Sequence, residues 1–193
     1  MILKIVLGIV LLLVLAVVVI LIAAMTRPNQ FSYARSMKMA APPEVVFPHV
    51  NNLQKWEAWS PWEKLDPNMK KTYGDTVEGE GAYYAWNGDG NVGAGAITIA
   101  ESQPYEKIKM DLKILRPFAC ENDVFFTFAS DGDQTNVTWR MDGKNNFMAK
   151  VTSLFMNFEE MCGNQFTEGL ESLKQITEEE VKQASPGEAG STS

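Results

Sequence analysis

Residues 5–26, "IVLGIVLLLVLAVVVILIAAMT", run for 22 positions without a charged side chain, bracketed by Lys4 and Arg27. A stretch of this kind is either a cleaved signal peptide or a retained anchor. A signal peptide needs an apolar region of only ~7–15 residues and a small-residue cleavage site. A bilayer core needs about 20 apolar residues. Ala23 and Ala24 form no clean cleavage site, so the expectation is a single-pass membrane anchor over residues 1–26, in a bacterial inner membrane. Orientation follows Lys and Arg on the flanks, and here Lys4 is nearly balanced by Arg27, Arg35 and Lys38. One Lys on a short amino-terminal flank is the pattern of an anchor that leaves its domain outside the cytoplasm.

The segment "RPNQ", residues 27–30, joins this run to the rest. Four residues reach about 14 Å, so the following domain is expected to sit close to the bilayer. The formal net charge of −7 argues against a nucleic-acid partner and against a polybasic grip on anionic lipid. The domain is expected over 31–179, and the polar, Pro- and Gly-bearing tail over 180–193 reads as disordered.

Within the domain the dominant period is two. "FSYARSMKM" alternates Phe31, Tyr33, Met37 and Met39 with polar residues, which reads as a half-buried strand. A short helix over 42–50 and a second helical turn follow. From residue 70 onward comes strand after strand, the clearest over 105–115, where Ile108, Met110, Leu112 and Ile114 alternate with lysines and Asp111. Segments 123–129 and 135–142 flank a turn, so Val124, Phe126 and Phe128 should face Val137, Trp139 and Met141. The period then changes to steps of three and four: Val151, Phe155, Phe158, Cys162, Phe166, Gly169, Leu173 and Ile176. This predicts one helix from about Met148 to Glu179. The fold class is therefore α+β: about seven antiparallel strands curved around a long carboxy-terminal helix, plus one amino-terminal transmembrane helix.

"KWEAWSPWEKLDP" holds Trp56, Trp59 and Trp62 in one Pro-broken, charged segment. Each ring offers roughly 150–250 Å² that favours burial, so the segment must cover something apolar. That is either the rim of a cavity or the end of a packed core. Gly169, inside an apolar helix stripe, raises the same alternative, since an interior Gly costs about 1 kcal/mol against Ala.

The words "APPEVVF" (41–47), "W..WSPW" (56–62), "GEGAYYAW" (79–86), "VGAG" (92–95), "RPF" (116–118), "TNVTW" (135–139) and "GLESLK" (169–174) occur in this order across residues 31–177. In these the chain resembles the START-like SRPBCC superfamily, in particular its polyketide cyclase/dehydrase-like branch. The resemblance implies a helix-grip fold that holds a hydrophobic or amphipathic small molecule, a lipid or a polyketide-like compound, between the sheet and the last helix. It places the tryptophan segment near the cavity mouth. The expected pocket residues are Trp59, Trp62, Tyr84, Trp86, Phe118, Trp139, Phe155, Phe158, Phe166 and Gly169, with Arg35 as a possible polar anchor for a ligand carboxylate or phosphate.

Catalytic residues do not stand out. His49 is the one histidine, and no Cys/His cluster has metal-ligand spacing, so no catalytic residue, metal or cofactor is expected. "GDGNVGAG" runs on into a strand and not into a helix, which disfavours a phosphate loop. Cys120 and Cys162 can be one bridge or two free thiols. Three readings stay open: a membrane-anchored binding domain, a cyclase or dehydratase that works by folding its substrate, and an interaction domain with a packed core.

Overall fold

The computed structural model describes residues 2–184. Its elements, in chain order, are α1 (Ile2–Met25), β1 (Gln30–Met39), α2 (Pro43–Asn51), a 3-10 turn (Leu53–Ala58), α3 (Pro61–Leu65) and β2 (Lys70–Tyr73). Then follow β3 (Tyr83–Asn87), β4 (Ala94–Gln103), β5 (Lys107–Arg116), β6 (Cys120–Asp131), β7 (Gln134–Lys144), α4 (Phe147–Thr152) and α5 (Phe158–Ala184). The seven strands form one antiparallel sheet in the order β1-β7-β6-β5-β4-β3-β2. Strands β2 to β7 are a meander of nearest neighbours, and β1 closes onto β7.

The alternation read from the sequence sets the register. Val124 pairs with Met141, Phe126 with Trp139 and Phe128 with Val137, so all six side chains point to one face. On that face β5 buries Ile108 and Met110 completely, and α5 lays Phe166, Leu170 and Leu173 across it. The other face carries the solvated Lys, Asp and Glu residues. One face packed and one wet is what a single-layer antiparallel sheet with a helix requires.

Proline punctuation works as expected at α3. Ser60 is extended at the N-cap position, and Pro61 opens the helix at its first turn, where its missing N–H costs nothing. Pro48 lies inside α2 without ending it.

The carboxy-terminal helix is not continuous from Met148. It splits at residues 153–157 into α4 and α5. The chemistry of the break is local. Thr152 Oγ1 donates back to the Met148 carbonyl at 3.0 Å, and Ser153 Oγ to the Lys150 carbonyl at 2.8 Å. Asn157 then starts α5, accepting from the Glu160 N–H at 3.2 Å while its own amide donates to the Glu160 carboxylate at 3.1 Å. Such side chains offer the backbone partners that compete with a continuous helix. The apolar stripe crosses the break in step, so periodicity alone hid it. At the other end α5 extends to Ala184, so residues 180–184 are helical; the rest of the expected tail lies outside the described residues.

Arg35 accounts for Gly163 in the interior of α5. It sits on the inner face of β1, half-buried, and its guanidinium crosses beneath α5 at Gly163, where any Cβ would collide with it. Its Nη1 donates to the Ala34 carbonyl at 2.7 Å. A double-mutant cycle tests this. Gly163→Ala alone should be neutral or destabilising, whereas in an Arg35→Ala background it should stabilise by about 1 kcal/mol. Thermal or urea unfolding of the four proteins reads the coupling, and equal effects in both backgrounds would show that Arg35 is not the reason for Gly163.

Candidate functional site

Between the inner face of the sheet, α3, α4 and α5 lies a cavity of about 390 Å³. Its lining is aromatic and aliphatic, with contributions from β1 (Phe31, Tyr33), β3 (Tyr84, Trp86), β5 (Leu112, Ile114), β6 (Val124) and β7 (Trp139, Met141). Helix α5 supplies Phe158, Cys162 and Phe166. The exposed members of the lining, Phe118, Ala119, Lys144, Asn146 and Met148, gather at one end. There the β5–β6 loop, the end of β7 and α4 form the mouth.

Trp56 and Trp139 line the inner end of the cavity, and Trp59 lies behind them, fully buried, 5.0 Å from the Trp56 ring and 5.7 Å from that of Trp139. Their polar edges are tied down: Trp56 Nε1 donates to the Val50 carbonyl and Trp59 Nε1 to the His49 carbonyl, each at 3.0 Å. The tryptophan segment is therefore not a lid over the mouth. It caps the core end of the sheet, and Trp62 alone reaches into the side wall, edge-on to Trp139 at 5.6 Å.

Of the residues expected in the pocket, Trp62, Tyr84, Trp86, Phe118, Trp139, Phe158 and Phe166 are brought together around the cavity. Trp59 is one layer too deep. Phe155 falls in the break between α4 and α5 and is 71% exposed, outside the lining. Gly169 does not make room for a ligand. A Cβ there would stand 2.8 Å from the Trp139 ring and 3.1 Å from Pro61, so the glycine serves close packing of α5 on the core. Arg35 lies under α5 at Gly163 and not in the cavity wall. His49, on α2, pairs with Glu180 at 3.1 Å, away from the cavity.

Glu63 is the lining residue that sequence reading missed. After Trp62 it reads as one more solvated charge, and no period marks it. In the structure its side chain is 8% exposed, accepts from the Tyr84 hydroxyl at 2.8 Å and pairs with Lys71 at 2.6 Å. Lys71 also reaches Glu57 at 2.7 Å. A buried carboxylate needs such partners, because an unpaired one costs several kcal/mol. Phe31, Tyr33 and Leu112 were legible as inward positions, though not as cavity wall.

Four further polar groups face or border the space. Trp139 leaves its buried indole N–H without a partner, and Asn122 leaves its buried Oδ1 so. Cys120 and Cys162 are free thiols, and both line the cavity. Burial pushes the Cys162 thiol up, and the neighbouring Cys120 adds to this. Among the described residues no group of three His, Cys, Asp or Glu side chains is placed to hold a metal ion.

Comparison with known proteins matches residues 30–178 to the family described as "Polyketide cyclase / dehydrase and lipid transport". No curated protein matches the sequence. Among solved structures, protein CV1439 from Chromobacterium violaceum is similar at a TM-score of 0.55 and 15% identity, covering 79% of this chain and 99% of its own. The Aha1 dimer from Colwellia psychrerythraea gives 0.56 and 13%, with 77% of this chain and 96% of the other covered. The di-domain ARO/CYC StfQ from the steffimycin biosynthetic pathway gives 0.60 and 10%, covering 80% of this chain and 52% of that one. At such identities the likeness is one of fold: a curved antiparallel sheet gripping a long helix.

The wall network carries a pH signature. Burial, then the hydrogen bond to Glu63, pushes the Tyr84 phenol far above its ordinary value. Burial and the nearby Glu57 charge push Tyr73 up to about 12. A phenol that holds its proton more tightly when folded contributes stability that is full below its unfolded value near 10 and is lost as pH rises through the folded value. The urea midpoint should therefore fall between pH ~10 and ~12, and Tyr73→Phe with Tyr84→Phe should flatten that limb. An unchanged slope in the double variant would show that these phenols ionise as freely in the fold as outside it.

Proposed function

Because the chain belongs to the polyketide cyclase/dehydrase and lipid transport family, we propose that it is a membrane-anchored binding domain for one hydrophobic or amphipathic small molecule. The observation that carries this reading is the cavity. It is continuous, about 390 Å³, lined by apolar side chains, and open at one end. That volume lies at the lower end of the 300–1,000 Å³ common for ligand sites. It suits a single acyl chain or a small fused-ring system. The affinity would come from desolvation, at about 0.8 kcal/mol per buried CH₂.

The few polar groups specify where the ligand's own polar atoms go. The unpartnered Trp139 N–H asks for an acceptor, such as a carbonyl or hydroxyl oxygen. Asn122 Oδ1 asks for a donor. A wholly hydrocarbon ligand would leave both unsatisfied; an oxygenated chain or ring would not. The anchor reading rests on α1, a 24-residue helix whose apolar side chains stand almost entirely exposed and which is long enough to cross a bilayer core. The side of the membrane on which the domain lies is favoured as the non-cytoplasmic one by the flanking charges alone.

A cyclase-type reaction is the second reading, and Glu63 favours it. A carboxylate at the cavity wall, held in place by Lys71 and by the Tyr84 hydroxyl, can act as a general base toward an acidic C–H beside a bound ketone without any cofactor. In that case Glu63→Gln would abolish turnover and leave binding nearly intact, whereas for a carrier it would change binding alone.

The test is native mass spectrometry of the full chain released from detergent micelles. A bound mass of fatty-acid, isoprenoid or polyketide size is expected. Leu112→Trp, which fills the cavity from the middle of β5, should eliminate that mass while shifting the Tm by only a few degrees. A bare chain with no thermal shift across fatty acids and aromatic polyketides would turn the assignment to an interaction domain.

A further inference from the structure

The mouth of the cavity and the end of α1 are at one place. Helix α1 packs against α4, and its last turns are the covered ones: Ala24 is fully buried, while Ile20 and Ala23 are partly covered. The segment after α1 is not a loose tether. The Asn145 N–H donates to the Asn29 carbonyl at 2.9 Å, the Asn145 amide to the Pro28 carbonyl at 3.2 Å, and Lys150 to the Asn29 side chain. Residues 28–29 are thereby fastened to the start of α4.

This fixes a height. If α1 crosses a bilayer, the hydrocarbon core of about 30 Å takes about 20 residues at 1.5 Å each. Counted from Ile5, the first residue after Lys4, that core ends at Ala24, the residue buried where α1 meets α4. Helix α4 therefore lies at the boundary between acyl chains and headgroups, not above it.

The surface at that level is apolar where water would forbid it. Phe118 is 67% exposed, Met148 58% and Phe147 51%, and Phe155 and Met156 stand out from the adjoining break. Phe118 and Met148 are also cavity-lining residues, so the apolar collar is the rim of the mouth. Arg27, Lys144 and Lys150 lie around it, at the depth where long cationic side chains snorkel to headgroups. Glu159 and Glu160, exposed at the start of α5, are the nearby acids. Elsewhere the domain exposes few large apolar groups.

We propose that this collar is seated in the same bilayer that α1 spans, so that the cavity opens into the lipid phase and not into water. The partner is the acyl–headgroup boundary of that membrane. Ligand then enters sideways from the leaflet, past Phe118 and Met148, without crossing an aqueous gap. The proposal rests on the reading of α1 as a membrane span, and its test separates the two.

The experiment uses the full chain, with Cys120→Ser and Cys162→Ser, in vesicles of phosphatidylcholine and phosphatidylglycerol. Nitroxide labels go on cysteines introduced singly by Phe118→Cys, Met148→Cys, Val14→Cys and Asp133→Cys. Asp133 lies in the β6–β7 turn at the opposite end of the sheet. Collision with oxygen against a water-soluble nickel chelate reads depth. Labels at 118 and 148 should shift from the nickel-dominated value of position 133 to an oxygen-dominated one like that of position 14. If 118 and 148 match 133 while 14 stays oxygen-dominated, the collar is not in the bilayer and the anchor stands. If 14 is itself nickel-accessible, the span reading fails and the proposal with it. If a label at 118 or 148 is shielded from both reagents and broadened by the same label on a neighbouring copy, a second copy covers the rim, which also overturns the proposal.

Discussion

The domain is organised around the indole of Trp139. It stacks on Phe166 of α5 with centroids 4.5 Å apart and rings 14° from parallel, and meets Phe126 of the neighbouring strand at 4.8 Å with the rings tilted by 32°. It meets Trp56, Trp59 and Trp62 edge-on at 5.6–6.5 Å, and its far edge touches the gap left by Gly169. One side chain thus joins the sheet, the short helices and the long helix. Each aromatic pair adds ~0.5–1.5 kcal/mol beyond its area, and the contacts share a single ring. The ring belongs both to the buried core and to the cavity wall, and so stands where the one gives way to the other.

That boundary also accounts for what could and could not be read in the sequence. Alternation on β1, β5, β6 and β7 gave both strand identity and facing, because side chains of period two have only two places to go. The inward set was legible for the same reason. Which inward residues wall a cavity and which fill a core was not, since both want the same apolar types. Trp59 and Trp62, three residues apart in one motif, fall on opposite sides of the division. Glu63 was invisible for a different reason. Its burial depends on Lys71 and Tyr84, which come from β2 and β3, and no local pattern announces a partner that folding brings from another strand. The α4–α5 break was hidden because the stripe of three and four kept its phase across it.

The cavity combines a large apolar wall with a small set of charged residues held in one network. Glu63 is tied to Lys71 and Tyr84, Lys71 also to Glu57, and Tyr73 lies within 3.4 Å of the same Glu57. Removing one member of such a set leaves another buried without a partner, which is costlier than never having placed the set there. The network therefore braces the wall formed by α3 and β3 from β2 behind it. The opposite wall has no counterpart: it is the N-terminal turns of α5 and the short α4, joined by an exposed break. One side of the cavity is fixed by ion pairs and the other by apolar contact and by the hydrogen bonds that fasten residues 28–29 to the start of α4.

The strand order has a consequence for the path by which the chain assembles. Strands β3 to β7 each pair with the strand made just before, so that meander can form as it leaves the ribosome. Strand β1 is made first and must wait, because among the described strands its partner is β7, with Gln30 opposite Lys144 and Met39 opposite Thr135. Its second neighbour, α5, is made later still. Ninety-four residues lie between the end of β1 and the start of β7, and pairings this far apart in sequence are the slow ones. The newly made protein thus passes through a stage in which an apolar strand, Phe31, Tyr33, Met37 and Met39, hangs directly from α1 with its edge open. Completion of the domain is the capture of that waiting strand, and the last segments synthesised perform it.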